Sequence, residues 1–98
     1  MRVISRKRLR DFMVRYTDAG SSLDGWYALM RHQDFDSPHQ VSAAFPGASF
    51  LGRGRTVFNI GGNKYRLVVD MRYDLGRVYV REVMTHADYD RRTAAGTL

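Results

Sequence analysis

Apolar and polar residues alternate through three consecutive segments near the end of this 98-residue chain. The segments are 56–60, 64–73 and 77–84, and the turns between them are Gly61–Asn63 and Asp74–Gly76. A period of two places successive side chains on opposite faces of a strand, and glycine-containing turns join antiparallel strands. The pattern therefore predicts a meander of three antiparallel strands with one apolar face and one largely charged face.

The first part of the chain has the spacing of helices instead. Val3-Ile4 predicts a short opening strand. Apolar residues then recur at spacings of three, one and three between Leu9 and Tyr16, which predicts an amphipathic helix with one buried face. We expect Asp18-Ala19-Gly20 to end that helix with a glycine stop, and a serine of the Ser21-Ser22 pair to cap a second helix.

The second helix is expected to end before Ser37-Pro38, because proline disfavours the helical conformation in the residue that precedes it. The apolar residues of this helix are Leu23, Trp26, Tyr27, Leu29 and Met30. A further helical turn is expected over Gln40–Ala44. A glycine-rich loop is expected over Phe45–Arg55, and Thr85 is expected to cap a short closing helix over His86–Arg92.

These elements follow one another in the order β-α-α-β-β-β, with a short C-terminal helix. The order predicts an α+β fold in which the N-terminal strand and a two-helix hairpin pack on a twisted antiparallel sheet. Hydrophobic residues make up 44% of the chain, which suits one core in a chain of this length. We therefore expect a single domain that spans residues 1–98.

The net charge of +6 favours anionic partners such as nucleic acid. Residues 1–16 carry six Lys or Arg against one acid, residues 17–52 carry one against four, and residues 53–98 carry nine against five. The chain has no cysteine, which excludes disulfides, thiolate metal sites and a cysteine nucleophile. It also lacks the apolar stretch of a signal peptide or a membrane span, so we expect a soluble cytoplasmic protein.

Cationic side chains, an imidazole and a phenol occur together in the last third of the chain. Lys64 and Arg66 lie two apart on a predicted strand and are expected to point to one face, with Arg72 further along the row. His86 and Tyr89 lie three apart and share one side of a helical turn. Cations can hold a phosphodiester while histidine or tyrosine moves protons, so these residues favour metal-independent RNA cleavage. A solvated sheet face with loose ion pairs is the alternative interpretation.

A second group of cations lies on the first predicted helix. Such a helix can follow a phosphate backbone, and its residues are Arg6, Lys7, Arg8, Arg10 and Arg15. An ordinary solvated helix face is the alternative interpretation. The three histidines lack the spacing of metal ligands, and we expect neither a metal nor another cofactor.

Two runs of the sequence, FNIGGNKYRL at 58–67 and REVMTHADYD at 81–90, closely resemble the HigB branch of the RelE-like toxins of bacterial toxin-antitoxin modules. The opening MRVISRKRLRDF is similar to the same branch. Members of this family are messenger-RNA endonucleases that usually cut in the ribosomal A site and are silenced by a co-encoded antitoxin. The resemblance implies a small α+β fold of the RelE type, mRNA interferase activity, and a HigA-like antitoxin, messenger RNA and the ribosome as partners.

The resemblance also implies roles for single residues. Arg66 matches the arginine that RelE-like enzymes place on the scissile phosphate, Lys64 stands where basic residues aid proton transfer or charge stabilisation, and Tyr89 matches a C-terminal tyrosine. His86 takes the place of an arginine in other branches and is expected to act as acid or base. The residues expected to bind substrate are Asn63, Arg72 and Arg81. The basic first helix is expected to dock on ribosomal RNA.

Two other functions are compatible with the sequence. In a non-catalytic RNA- or protein-binding module, the same cations would only contact phosphates. A DNA-binding regulator is the weaker alternative, because no helix-turn-helix pairing is apparent and the one basic helix lies at the N-terminus. Among Lys64, His86 and Tyr89, the sequence leaves open which is the acid and which is the base.

Overall fold

A five-stranded mixed sheet forms the centre of the structure, a computed structural model that describes residues 1–98. The strand order is β1-β5-β4-β3-β2, and all neighbours pair antiparallel except β1 and β5, which are parallel. The strands are β1 (Arg2–Ile4), β2 (Ser49–Gly52), β3 (Arg55–Ile60), β4 (Tyr65–Arg72) and β5 (Arg77–Thr85). The predicted three-stranded meander is confirmed as β3-β4-β5.

Three helices cover one face of the sheet, here called the helical face. They are α1 (Arg6–Arg15), α2 (Gly20–His32) and α3 (Pro38–Ala44), and a 3₁₀ turn, Thr17–Ala19, joins the first two. The fourth helix, α4 (His86–Ala95), packs on one end of the opposite face, here called the α4 face. The predicted α+β fold is confirmed.

The main core lies between the three helices and the helical face. Leu9 of α1 and Leu23 and Met30 of α2 pack there with Leu67 and Val69 of β4, and each of these side chains is at most 1% exposed. Burying such a side chain contributes about 1.5–3 kcal/mol. The apolar stripes predicted for the two helices are therefore the surfaces that fix them on the sheet.

A smaller apolar cluster lies on the α4 face. It consists of Val57, Val68 and Met84, with Tyr89 and Leu98 packed against it. No residue of α4 itself is fully buried. The helix that carries the second half of the REVMTHADYD motif is therefore held by far less apolar contact than α1 or α2.

A bulge in β5 reverses the alternation of its side chains. Val80 and Glu82 pair with consecutive residues of β4, so Arg81 lies between them without a partner of its own. An extra residue of this kind shifts the following side chains to the other face. Val80 consequently belongs to the main core and Met84 to the α4-face cluster, and the prediction that both share one face was wrong.

The loop predicted over Phe45–Arg55 contains a strand. β2 pairs antiparallel with β3 and forms an edge of the sheet. The glycines that suggested a loop lie at its end, where Gly52 and Gly54 have φ angles of 96° and 82°. They shape the turn between β2 and β3, so the glycine-rich composition marked a hairpin turn and not a whole loop.

The glycine predicted to stop the first helix begins the second one. α1 ends at Arg15, and Gly20 has a helical φ of −57° as the first residue of α2. Ala19 occupies the N-cap position in place of either predicted serine, and it makes no side-chain capping bond. A 3₁₀ turn therefore joins the two helices at the position where the sequence predicted that a glycine would end the first helix.

Candidate active site

The Gly61–Lys64 turn and the start of α4 lie together at one end of the sheet. The backbone N–H of His86 donates to the carbonyl oxygen of Lys64 at 2.8 Å. The Thr85 hydroxyl caps α4, as predicted, by accepting a hydrogen bond from the Asp88 N–H at 3.1 Å. These contacts fix the turn that follows β3 against the helix that follows β5.

Arg66 is a buried cation at this end of the α4 face. It is 8% exposed, and its guanidinium donates to the carbonyl oxygens of Asn63 and Tyr65 at 3.2 and 3.1 Å and to Asn63 Oδ1 at 3.3 Å. None of these partners is a carboxylate. A buried charge usually has an opposite charge beside it, so the site holds a fixed positive charge without a counterion.

The Tyr89 ring supports the Arg66 guanidinium. The guanidinium carbon lies 5.7 Å from the ring centroid, within the range of a cation–π interaction. Tyr89 also packs against the cluster of Val57, Val68 and Met84. We call Asn63, Arg66, His86 and Tyr89 the Arg66 cluster.

His86 has an acidic neighbour one helical turn away. Its Nδ1 lies 3.5 Å from Asp90 Oδ1, and the geometry does not form a hydrogen bond. The His86 side chain is 45% exposed, so a substrate can reach it. Asp90 was not among the residues predicted for the site, although its spacing of four from His86 predicts that the two side chains are neighbours on one face of a helix.

Lys64 does not share a row with Arg66. Its ammonium lies 3.1 Å from Asp18 Oδ2, beside the helices. The Tyr65 hydroxyl donates to the other oxygen of Asp18 at 2.5 Å. Lys64 belongs to the turn and not to β4, so the expected common direction of Lys64 and Arg66 was wrong.

The hydrogen bonds to Asp18 shift the pKa values of Asp18 and Tyr65 in opposite directions. The Tyr65 hydroxyl, and then the Lys64 ammonium, lower the pKa of Asp18 by hydrogen bonding to its carboxylate. The same bond to Asp18 raises the pKa of Tyr65 to about 12, with burial as the next cause. Asp18 thus carries a negative charge that holds the Lys64 side chain near the helices.

The other predicted substrate-binding residues divide between two places. Asn63 contacts Arg66 directly, whereas Arg72 and Arg81 lie further along the α4 face. Arg72 pairs with Asp74 at 2.9 Å, and Arg81 pairs with Asp70 at 2.7 Å. Neither arginine contacts the Arg66 cluster.

The cations of α1 do not form a single face. Arg6 lies over the Tyr27 ring, 4.4 Å from its centroid. Arg8 extends toward β5 instead, where its guanidinium donates to the carbonyl oxygen of Arg81 at 2.5 Å. All five cations of this helix are exposed, including the remaining three, Lys7, Arg10 and Arg15, and Lys7 pairs with Asp11 at 3.4 Å.

No helix combines the length and the apolar character that crossing a bilayer requires. No group of three or more histidine, cysteine, aspartate or glutamate side chains is arranged to hold a metal ion.

Comparison with known proteins gives a consistent result along the chain. The HigB_toxin family, described as the RelE-like toxic component of a toxin-antitoxin system, matches residues 19–92. The mRNA interferase toxin HigB of Escherichia coli (strain K12) and the mRNA interferase HigB of Escherichia coli O157:H7 are each 33% identical over 97 residues, covering 96% of this chain and 92% of theirs. The mRNA interferase HigB of Escherichia coli O6:H1 is 27% identical over 95 residues, covering 95% of this chain and 92% of its own.

Proposed function

The chain belongs to the HigB family of RelE-like toxins, the toxic components of toxin-antitoxin systems, and we propose that it cuts messenger RNA at the Arg66 cluster without a metal ion. It is a toxin with mRNA endonuclease activity, and its family implies an antitoxin partner. What we propose is that cleavage is metal-independent, that the residues named below carry it out, and that it depends on the ribosome.

The observation that carries the proposal is the unpaired charge of Arg66. A guanidinium that donates only to neutral oxygens can bind an anion at little cost in free energy, because no ion pair with a carboxylate has to break first. Its planar donors suit two oxygens of one phosphate. A fixed cation of this kind stabilises the charge that develops on a phosphorane, and removing one such donor typically slows a reaction about 10²–10³-fold.

Cleavage follows from the groups around that phosphate. A base removes the proton of a ribose 2′-hydroxyl, and the 2′ oxygen attacks the adjacent phosphorus. The bond from phosphorus to the 5′ oxygen breaks, and an acid protonates that oxygen. The products are a 2′,3′-cyclic phosphate and a 5′-hydroxyl. The reaction therefore needs neither a water molecule as nucleophile nor a metal ion.

The proton-transfer roles fall to His86 and Tyr89. Histidine is a natural general acid or base near neutral pH, and the Asp90 carboxylate lies 3.5 Å from His86 Nδ1. Tyr89 is placed beside Arg66 to orient the 2′-hydroxyl or share the proton transfer. Lys64 can join them once its ammonium leaves Asp18, which an exposed side chain does at small cost.

The exposed cations of α1 support docking on ribosomal RNA. Lys7, Arg10 and Arg15 face solvent, and contacts of this kind weaken as salt displaces them from phosphates. Their replacement by glutamine should therefore weaken ribosome binding more at low salt than at high salt. A loss that is independent of salt would contradict this part of the proposal.

Mapping of RNA 5′ ends in cells tests the function. The wild type, His86→Ala and Arg66→Ala chains are induced in a bacterium, with His39→Ala as the control because His39 is exposed on α3. We expect growth arrest and cleaved translated messages for the wild type and His39→Ala, and neither for the other two. Growth arrest by the wild type without cleaved ends would favour a non-catalytic binding module.

A further inference from the structure

A second basic site lies on the α4 face beyond the Arg66 cluster. It is an open groove of about 690 Å³, and among its lining residues are Arg53, Arg55, Asp70, Arg72, Tyr79 and Arg81. Asp70 is four residues from Arg66 along β4, roughly 13 Å at the usual rise per residue. That distance corresponds to on the order of four stacked nucleotides of one strand.

Asp70 holds two arginines at once in the floor of the groove. Its Oδ1 and Oδ2 accept from Arg55 Nε and Nη2 at 2.8 and 3.0 Å. Oδ2 also accepts from Arg81 Nε at 2.7 Å. The Asp70 side chain is 22% exposed, against 51% for Arg81, so the acid lies deeper than the cation that reaches over the groove.

Arg81 points to the α4 face by the ordinary alternation of β5, because the preceding residue, Val80, points into the main core. Arg81 is the extra residue between Val80 and Glu82. The bulge turns the following residue, Glu82, to the same face, so that it lies beside Arg81. Arg81 therefore reaches Asp70 on the α4 face, and we call Asp70, Arg55 and Arg81 the Asp70 cluster.

The Asp70 cluster keeps capacity for one more anion. Two guanidinium groups share one carboxylate, which leaves one net positive charge, the complement of one phosphodiester. Nη1 of Arg55 and both Nη atoms of Arg81 have no hydrogen-bond partner. Arginine N–H groups fixed in position are good donors to phosphate oxygens.

The rim of the groove is also fixed in place. The Gly54 carbonyl accepts from the Met71 N–H at 2.9 Å, which ties the β2–β3 turn to β4. Within this turn Arg53 has a φ of 56°, a left-handed conformation that is uncommon outside glycine. The turn holds an additional exposed cation beside the Asp70 cluster.

We propose that the Asp70 cluster binds one RNA phosphate away from the scissile one, and that Asp70 is the positioning residue that holds Arg55 and Arg81 for this contact. The proposal rests on the proposed function, since it extends the path of the RNA along the α4 face. The phosphate belongs either to the messenger strand or to ribosomal RNA, because both offer the same chemistry.

The positioning role of Asp70 can be tested by removing its negative charge and measuring whether RNA binding becomes weaker or tighter. Asp70→Asn and Asp74→Asn each remove one negative charge from the same face, but Asp74 pairs with the single arginine Arg72. If only charge matters, both variants bind RNA more tightly. If Asp70 positions two arginines, Asp70→Asn weakens binding by about tenfold or more, while Asp74→Asn does not.

Binding is measured with a short single-stranded RNA that is 2′-O-methylated throughout and therefore lacks the nucleophile, and separately with bacterial ribosomes. We expect the double variant Arg55→Gln/Arg81→Gln to lower the salt slope for the oligonucleotide by about 0.7, the value for one phosphate of a single strand. Asp70→Glu, which restores a carboxylate, should recover part of the affinity. If Asp70→Asn does not fold, Arg81→Gln replaces it, because that change leaves the Arg55–Asp70 pair intact.

Each outcome decides the matter. Weaker oligonucleotide binding by Asp70→Asn assigns the phosphate to the messenger strand, and weaker ribosome binding alone assigns it to ribosomal RNA. The site is overturned if Asp70→Asn binds both the oligonucleotide and the ribosome at least as tightly as the wild type does. It is also overturned if the wild type binds neither of them. A wild type that binds the modified RNA but cleaves neither the unmodified RNA nor messages on translating ribosomes overturns the proposed function and leaves this site standing.

Discussion

The guanidinium of Arg66 and the ring of Tyr89, 5.7 Å apart, join the central strand β4 to the closing helix α4. The arginine is fixed by backbone and amide oxygens, and the tyrosine rests on the apolar cluster beneath it. The contact therefore links Arg66, which we propose binds the scissile phosphate, to the helix that carries the proposed proton-transfer residues His86 and Tyr89.

Replacing Arg66 by methionine should separate activity from stability. A buried charge without a counterion is costly, so we expect Arg66→Met to unfold at the same temperature as the wild type or higher. RNA cleavage should fall at least about 100-fold. Thermal unfolding and cleavage of a translated message check both parts. A variant that unfolds at a lower temperature yet cleaves normally would contradict both expectations.

The pairing of Lys64 with Asp18 predicts unequal effects of two substitutions. Lys64→Met removes a cation that we propose takes part in cleavage, whereas Asp18→Asn only frees that cation. Cleavage should fall in the first variant and stay equal or rise in the second. Comparing the two cleavage rates at matched protein concentration tests this. Equal losses would show that Lys64 acts only by holding the turn.

The Tyr65–Asp18 hydrogen bond predicts a loss of stability at high pH. The bond raises the pKa of Tyr65 from 10.0 to about 12, so the folded state keeps a proton that the unfolded chain loses. Its contribution is present below pH 10 and is lost as the pH rises through about 12. Urea unfolding should show a steeper decline over this range for the wild type than for Tyr65→Phe. Parallel curves would exclude the effect.

The acid side of the same bond has the opposite sign. The Tyr65 hydroxyl and the Lys64 ammonium lower the pKa of Asp18 below 3.8. The contribution of Asp18 is therefore present above that value and is lost as the pH falls through the lowered pKa. Asp18→Asn should remove this part of the acid sensitivity.

Two glycines should respond to alanine in opposite directions. A Cβ on Gly54 would lie 2.3 Å from the Met71 carbonyl oxygen, at a φ of +82°, so Gly54→Ala should destabilise the fold by about 1–3 kcal/mol. Gly25 lies within α2 with no atom within 4 Å of an added Cβ. Gly25→Ala should stabilise by about 0.5–1 kcal/mol. Urea unfolding measures both changes, and a neutral Gly54→Ala would count against this packing.

Much of the fold was predictable because its patterns are local. The alternation over 64–73 depends only on which side chains face the core, and it predicted β4 to within a residue or two. The bulge at Arg81 was not predictable in this way. Within Val78–Met84 the sequence itself breaks the alternation, because Arg81-Glu82 are both polar and Val83-Met84 are both apolar. Only the pairing with β4 identifies this break as a bulge at Arg81.

The candidate site was predictable to the extent that its residues are close in sequence. Arg66, His86 and Tyr89 flank the ends of adjacent paired strands, so a meander brings them together. The contact between Asp18 and Tyr65 spans 47 positions, and no spacing rule connects a turn between helices to a strand. No spacing rule connects Asp70 of β4 to Arg55 of β3 and Arg81 of β5, the two arginines that it holds.

Because α4 makes few apolar contacts, we expect two thermal transitions in this toxin, the opening of α4 at a lower temperature and the unfolding of the sheet at a higher one. A helix of ten residues is barely stable by itself in water, and this one rests on a cluster of three buried side chains. Segments held in this way open locally while the remainder stays folded. Because His86 and Tyr89 belong to α4, warming should silence the enzyme reversibly before the sheet melts.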